Sequence, residues 1–254
     1  MIKADGLTKS YPGKDAVRGL SFSVGRGEIV GFLGPNGAGK TTTVKMLTGM
    51  ILPTSGSATV AGFDIIRQPI EAKKRLGYVP ESGALFETLT AGEYLHFIAE
   101  LHHLERTVAD RRSDEFLDLF DMRAQKDQRL QEYSKGMKQK VLIAAALIHQ
   151  PDVLFLDEPL NGLDANAALV FKEIIRRLSA QGKAVLFCSH ILDVVEKLCP
   201  RIIILNEGSI IAEGTPGRIA DQSGVTTLED AFCKLTGVRD ARESAREFLE
   251  ALGR

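Results

Sequence analysis

The chain has 254 residues, and 44% of them are hydrophobic, so it can bury a substantial core and is not a disordered protein. Its 32 Lys and Arg residues nearly balance 33 Asp and Glu residues, so no overall field attracts nucleic acid, and we expect no nucleic-acid partner. The longest apolar run, which starts at Val141, is far shorter than the roughly 20 residues that span a bilayer.

The first residues show no apolar signal core, and three cysteines at positions 188, 199 and 233 lack paired metal-ligand spacing. We therefore expect a soluble protein of the reducing cytoplasm.

Short runs of Val, Ile, Leu and Phe alternate along the chain with helical patterns, which predicts an α/β fold with a largely parallel sheet. The clearest predicted strands are 28–34, 152–158, 184–190 and 201–208. Between about residues 88 and 150 apolar residues recur at spacings of three and four, which predicts a helical insertion without strands. Two amphipathic segments, around 228–235 and 241–252, predict helices in the tail.

A phosphate-binding loop follows the first of these strands and precedes a predicted helix. Its glycines allow backbone N–H groups to surround phosphate oxygens, Lys40 can reach the β and γ phosphates, and the hydroxyl of Thr41 can bind Mg²⁺. A chance glycine turn is the alternative, and the strand and helix on either side disfavour it. The predicted nucleotide contacts here are Gly34, Pro35, Asn36, Gly37, Ala38, Gly39, Lys40, Thr41 and Thr42.

Two carboxylates, Asp157 and Glu158, end another apolar strand. Strand alternation predicts that they point in opposite directions and serve separate tasks. Asp157 would hold Mg²⁺ through water, and Glu158 would orient and polarise an attacking water. An acidic pair at a strand end is by itself more often solvated, but the upstream phosphate loop favours a site.

The stretch from Tyr133 to Lys140 places two lysines, Lys135 and Lys138, in the first turn of a helix capped by Ser134. The helix dipole disfavours cations there, so an anion near the helix start would remove the conflict. A phosphate is one such anion, because Gly136 exposes backbone donors; a solvated pair of lysines is the alternative.

With these residues in view, the chain resembles the nucleotide-binding subunit of an ATP-binding cassette (ABC) transporter over residues 1 to about 215. The matching motifs are the Walker A loop at Gly34–Thr42, the family signature at Tyr133–Met137, the Walker B strand at Val153–Glu158, the D-loop at Asn161–Asp164 and the switch histidine His190. The resemblance implies a P-loop NTPase (RecA-like) core, an N-terminal antiparallel β subdomain and an inserted α-helical subdomain. It places an ATPase domain at residues 1–214, with the helical subdomain at about 88–150, and a helical extension at 215–254.

The resemblance also implies roles for single residues. Glu158 and His190 are the expected catalytic residues, and Thr41, Asp157 and Glu81 are the expected Mg²⁺ ligands. Tyr11 matches the aromatic residue that stacks on adenine, although a lone loop tyrosine also fits surface packing. Further ATP contacts are expected from Ser134, Gly136 and Asp164. The histidines at 96, 102, 103 and 149 lie in helical patterns, and we interpret them as structural.

The family architecture implies a head-to-tail dimer with two ATP molecules, each between Walker A of one subunit and the signature of the other. A membrane permease would convert closure and hydrolysis into transport, which implies a peripheral location on the inner face of the membrane. Glu81 stands where glutamine is usual, and Lys135, Met137 and Leu160 also depart from the common pattern. These features, with the segment from Leu228, resemble the branch that serves ABC-2-type exporters.

Leu85 and Phe86 lie in the loop after Glu81, so we expect the permease to dock near residues 81–88, unless both side chains fold inward. A soluble non-transport ABC ATPase, acting in iron–sulfur assembly or nucleic-acid remodelling, is the main alternative function. A degenerate scaffold is disfavoured because Lys40, Asp157, Glu158 and His190 are all present. The cargo, the direction of transport and the choice between homodimer and heterodimer stay open.

Overall fold

The computed structural model describes residues 1–82, 85–238, 249 and 251–252. Within these residues the chain forms two β-sheets and a set of helices. The strands are β1 (Ile2–Tyr11), β2 (Lys14–Val24), β3 (Ile29–Leu33), β4 (Ser55–Val60), β5 (Phe63–Asp64), β6 (Leu76–Val79), β7 (Val153–Asp157), β8 (Ala184–Cys188), β9 (Arg201–Asn206) and β10 (Ser209–Gly214). The α-helices are α1 (Lys40–Leu47), α2 (Pro69–Arg75), α3 (Ala91–Leu101), α4 (Arg106–Leu119), α5 (Lys135–Leu147), α6 (Ala165–Ala180), α7 (Leu192–Leu198), α8 (Pro216–Gln222) and α9 (Leu228–Thr236).

The larger sheet has the strand order β10-β9-β3-β8-β7-β6. Its strands pair in parallel except for β10, which is antiparallel to β9. The smaller sheet is antiparallel, with the order β2-β1-β4-β5. The predicted fold class, an α/β core with a mostly parallel sheet and a separate antiparallel sheet, is therefore confirmed.

The four strands predicted from apolar runs are β3, β7, β8 and β9, and both of their faces are covered. In β3, Val30 and Phe32 pack into the core shared with the smaller sheet and α1, whereas Ile29 and Leu33 pack into the core shared with α3, α5 and α6. Such a strand needs apolar side chains on both faces, which explains the continuous runs in the sequence.

Helices fill the region from 88 to 150, as predicted. They are α3, α4 and α5, with two short 3-10 helices. Thr90 and Arg129 also form an isolated antiparallel β-bridge. The start of α3 is fixed by a capping box, in which Thr90 and Glu93 each accept a hydrogen bond from the other's backbone N–H.

The first predicted helix of the tail is α9, and α8 precedes it. The second predicted tail helix, at 241–252, lies outside the described residues except for positions 249, 251 and 252.

Strands β3, β7 and β8 are neighbours in the larger sheet and run in the same direction, so their carboxyl ends lie at one edge. The residues that follow these ends are the glycine-rich loop, Glu158 and the pair Ser189 and His190. Loops at such an edge form the usual ligand site of an open α/β sheet.

Candidate functional site

A cavity of about 600 Å³ opens at this edge of the sheet. It brings together the predicted phosphate loop, both strand-end carboxylates and the predicted switch histidine, although these segments are far apart in sequence. The residues that line it are Lys14, Ala16, Leu33, Gly34, Pro35, Asn36, Gly37, Ala38, Gly39, Lys40, Thr41, Thr42, Glu81, Asp157, Glu158, Ser189, His190, Leu192, Phe232 and Val238.

The loop backbone requires glycine where it enters α1. Gly39 is the residue before the helix and has a φ of 102°, in the left-handed region that favours glycine. A Cβ atom on Gly39 would also lie 2.5 Å from the carbonyl oxygen of Ala16 in β2. The loop therefore turns tightly against the smaller sheet, and the amino end of α1, with its unpaired N–H groups, faces the cavity.

Lys40 is the buried cation of the loop, with 9% of its surface exposed. Its Nζ donates hydrogen bonds to the carbonyl oxygens of Gly34, at 2.6 Å, and Pro35, at 3.2 Å. These neutral acceptors hold the ammonium group at the cavity without neutralising its charge. Together with the helix amino end, Lys40 makes this side of the cavity suitable for phosphate.

Asp157 lies at the base of the cavity and is 1% exposed. Its Oδ2 has no hydrogen-bond partner among the residues that the structure describes. Burial raises the pKa of Asp157 and a hydrogen bond from Thr41 opposes that rise, while the nearby carboxylates of Glu81 and Glu158 raise the pKa further. A buried carboxylate with an unpartnered oxygen beside a hydroxyl group fits a hard divalent cation.

No group of three or more His, Cys, Asp or Glu side chains within the described ranges is arranged to hold a metal ion.

Glu158 has a φ of 50°, so the extended conformation of β7 ends at Asp157. Strand alternation therefore does not apply between Asp157 and Glu158, and both carboxylates line the same cavity. They still have different partners. Oε1 of Glu158 lies 2.9 Å from Nδ1 of His190, and Oε2 accepts a hydrogen bond from the hydroxyl of Ser189 at 3.2 Å.

Glu158 is 7% exposed, whereas 62% of the His190 side chain is exposed. The carboxylate is thus held on one side by Ser189 and on the other by an imidazole that faces the open part of the cavity. A non-glycine residue with positive φ is uncommon, and such positions are often found at functional sites.

Four predicted ATP contacts do not line the cavity of this single chain. Tyr11 is 45% exposed at the end of β1, with Nζ of Lys9 5.2 Å from the centre of its ring. Ser134 caps α5 by accepting a hydrogen bond from N–H of Met137. Asp164 caps α6 and pairs with Lys140, at 2.9 Å.

Gly136, the fourth, lies in the first turn of α5 against Gly162. The helix dipole disfavours Lys135 and Lys138 in this first turn, and an acidic side chain of the same chain compensates for one of them. Nζ of Lys138 lies 2.5 Å from Oε1 of Glu87. Lys138 therefore needs no phosphate as its anionic partner.

The sequence interpretation missed Lys14, Ser189 and Phe232, all of which line the cavity. Lys14 Nζ lies near Gly37 of the phosphate loop. Ser189 could have been predicted from the sequence, because it is a hydroxyl residue between a buried strand and the predicted switch histidine His190. Nothing in the local sequence connects Phe232 to a loop almost 200 residues earlier, since only the packing of α9 brings them together.

No helix within the described part of the chain is long and apolar enough to cross a membrane.

Comparison with known proteins identifies the family to which the chain belongs. Residues 17–161 match the family of ABC transporter domains, and the chain belongs to that family. It is an ATP-binding subunit that hydrolyses ATP to drive transport.

Among its relatives is the linearmycin resistance ATP-binding protein LnrL of Bacillus subtilis (strain 168), which is 38% identical over 90% of this chain and 73% of LnrL. The Nod factor export ATP-binding protein I of Paraburkholderia xenovorans (strain LB400) is also 38% identical, over 90% of this chain and 75% of that protein. A solved ATP-binding subunit of an ABC transporter superposes with a TM-score of 0.87, with 32% identity over 92% of this chain and 99% of the other.

Proposed function

We propose that the cavity at the sheet edge is the ATP hydrolysis site and that Glu158 polarises the attacking water. The observation that carries this assignment is the position of Glu158, whose two carboxylate oxygens are held by Ser189 and His190 beside the phosphate loop. A carboxylate in a fixed orientation can accept a proton from, or align, a water at the γ phosphate. His190, on the open side, would contact the γ phosphate itself.

ATP would lie with its phosphates along residues 34–42 and its adenine against Tyr11. Lys40 would contact the β and γ phosphates, where its charge stabilises the negative charge that they carry in the transition state. Lys14 supplies a second positive charge near Gly37 and suits a phosphate or ribose oxygen.

Thr41, Asp157 and Glu81 would hold Mg²⁺. The unpartnered oxygen and raised pKa of Asp157 support this assignment, because a nearby cation would stabilise the buried carboxylate. When bound, Mg²⁺ would neutralise phosphate charge as the terminal phosphoryl group leaves. Glu81, with its exposed side chain at the cavity, adds a second carboxylate in the position where glutamine is usual.

The subunit would act in a head-to-tail dimer. Ser134, Gly136 and Asp164 lie outside the cavity of their own chain, and this placement supports a role at the ATP of a second nucleotide-binding subunit. Two ATP molecules would then join the subunits, and hydrolysis would release them.

The dimer would bind a membrane permease near residues 81–88 and drive export from the inner face of the cell membrane. The names of the relatives, which refer to resistance and Nod factor export, support export as the direction. They give no support to the non-transport alternative. Under this proposal residues 1–214 form the ATPase domain, including the helical subdomain at about 88–150, and residues 215–254 form an extension. We expect no nucleic-acid partner.

The experiment that tests the site is Glu158→Gln, with Glu196→Gln on α7 as a matched control. The amide cannot take a proton, so we expect steady-state ATPase activity to fall at least about 100-fold while ATP binding is retained. The ATP-bound dimer should accumulate and elute early in size-exclusion chromatography. The exposed residue Glu196 should tolerate the same change with wild-type turnover. An unchanged ATPase rate for Glu158→Gln would refute the assigned base.

A further inference from the structure

The C-terminal helix α9 reaches the hydrolysis cavity, although its sequence shows no nucleotide motif. Phe232 on α9 and Val238 just after it line the cavity together with Ser189, His190 and Leu192. These two apolar residues lie in the proposed extension, residues 215–254. The wall beside the catalytic histidine is therefore formed by the extension.

The position of Phe232 is well defined because α9 is fixed at both ends. Thr227 caps its start by accepting a hydrogen bond from N–H of Asp230, at 3.1 Å. Gly237 ends it in the left-handed conformation, with φ at 69°. Leu228 and Ala231 on the same helix are buried in the core. Phe232 therefore belongs to an anchored helix and not to a free tail.

The segment that Phe232 borders also orients the proposed base. N–H of Ile191 donates a hydrogen bond to the hydroxyl of Ser189, at 3.1 Å, and that hydroxyl donates to Glu158. The next residue, Leu192, begins α7 and packs against the same core as Phe232. Helices α7 and α9 are in contact. Movement of α9 would therefore disturb the turn that holds Ser189 and His190 in place.

We propose that Phe232 is a positioning residue for ATP hydrolysis: α9 supports the 189–192 turn, and its aromatic ring closes the cavity beside His190. The ring acts through Ser189 and His190, which fix the orientation of Glu158, and it excludes water from their apolar side. This inference rests on the proposed role of Glu158.

The test is Phe232→Ala, with Leu235→Ala as the matched control. Leu235 is on the same helix and is also partly buried against the core, but it does not line the cavity. We expect Phe232→Ala to lower kcat about tenfold, because small displacements of catalytic groups have large effects on rate. The Kd for ATP, measured by fluorescence with a labelled ATP analogue, should stay within about twofold of the wild-type value, because the phosphate loop is untouched.

Both variants should lower the melting temperature, but Leu235→Ala should keep the wild-type kcat. Phe232→Leu keeps an apolar wall and should restore most of the lost rate. The inference is overturned if Phe232→Ala keeps the wild-type kcat, if the two alanine variants lose kcat equally, or if Phe232→Ala changes the Kd while kcat is unchanged. Full activity of Glu158→Gln would instead show that the proposed base itself is wrong, and both assignments would then fall.

Discussion

At the scale of single residues, Asp157 at the end of β7 and Glu158 just after it show how environment separates chemically similar groups. Asp157 is buried with one unpartnered oxygen, whereas both oxygens of Glu158 have side-chain partners. Glu158 also differs in its backbone, with a positive φ at the residue that follows the strand. Adjacent residues can thus be suited to a cation and to a water molecule within one cavity.

A second pair of neighbouring titratable residues lies away from the cavity. The rings of His102 and His149 stack with their centres 3.6 Å apart, and Nε2 of His149 lies 2.9 Å from the carbonyl oxygen of Leu76. Burial lowers the pKa of His149 to about 4, with His102 and Arg112 contributing in the same direction. Burial and His103 also lower the pKa of His102. These contacts agree with a structural role.

This histidine pair makes stability depend on pH. The folded pKa of His149 is below its unfolded value of about 6.5, so the unfolded chain binds more protons and stability falls as pH decreases from about 6.5 to 4. We expect wild type to lose about 2 kcal/mol more unfolding free energy than His149→Gln between pH 7 and pH 4.5. Urea unfolding at both pH values measures this difference. Equal losses in the two proteins would contradict the prediction.

At the scale of elements, α5 is attached to the segment after Glu158 by three contacts. Gln139 donates a hydrogen bond to the carbonyl oxygen of Pro159, at 3.0 Å, and Lys140 pairs with Asp164. The third contact is the close approach of Gly136 to the carbonyl oxygen of Gly162, which a Cβ atom on Gly136 would meet at 2.4 Å. Gly136 therefore has a packing reason to be glycine besides its proposed contact with ATP.

The packing reason predicts a loss of stability on substitution. Gly136→Ala must push α5 away from backbone atoms that cannot rotate aside, so we expect a loss of about 1–3 kcal/mol in urea unfolding. Gly217→Ala is the control, because an added Cβ there meets nothing within 4 Å and the residue is helical. That variant should be neutral or slightly more stable. Equal stabilities of the two variants would show that the close approach carries no cost.

At the scale of the whole molecule, the surface near residues 81–88 offers an apolar contact. Phe86 is 58% exposed and packs edge-on against Phe97, with ring centres 5.5 Å apart. With Thr88 and Leu89 they line a shallow groove of about 220 Å³. Leu85, by contrast, packs against the core, so one of the two predicted docking side chains folds inward and the other faces outward.

If the permease docks on this surface, Phe86→Glu should weaken the complex, because a charge would be buried against an apolar partner. We expect at least about a tenfold loss of the membrane protein that copurifies from detergent-solubilised host membranes. Leu169→Glu places the same charge on a 62% exposed residue of α6 and should retain the partner. Circular dichroism checks that both variants fold. Retention of the partner by Phe86→Glu would exclude this surface as the docking site.

The sequence alone determined the features that depend on local chemistry. Apolar runs with both faces buried predict β3, β7, β8 and β9, which the structure contains. The glycine-rich loop between a strand and a helix predicts a phosphate site, and this loop lines the cavity. Ser134 was predicted as the cap of α5 because capping depends on neighbouring residues. The family followed from these motifs in their order along the chain, which matches the ABC transporter family.

Contacts between residues that are distant in sequence could be found only from the tertiary structure. Glu158 has a positive φ that strand alternation does not predict, and the anion beside Lys138 is Glu87, 51 residues away. Phe232 lines the cavity because α9 packs beside α7. Local sequence patterns indicate which side chains a helix or strand can bury. The contacts that form when distant elements pack together, with their distances and charges, are set by the whole fold.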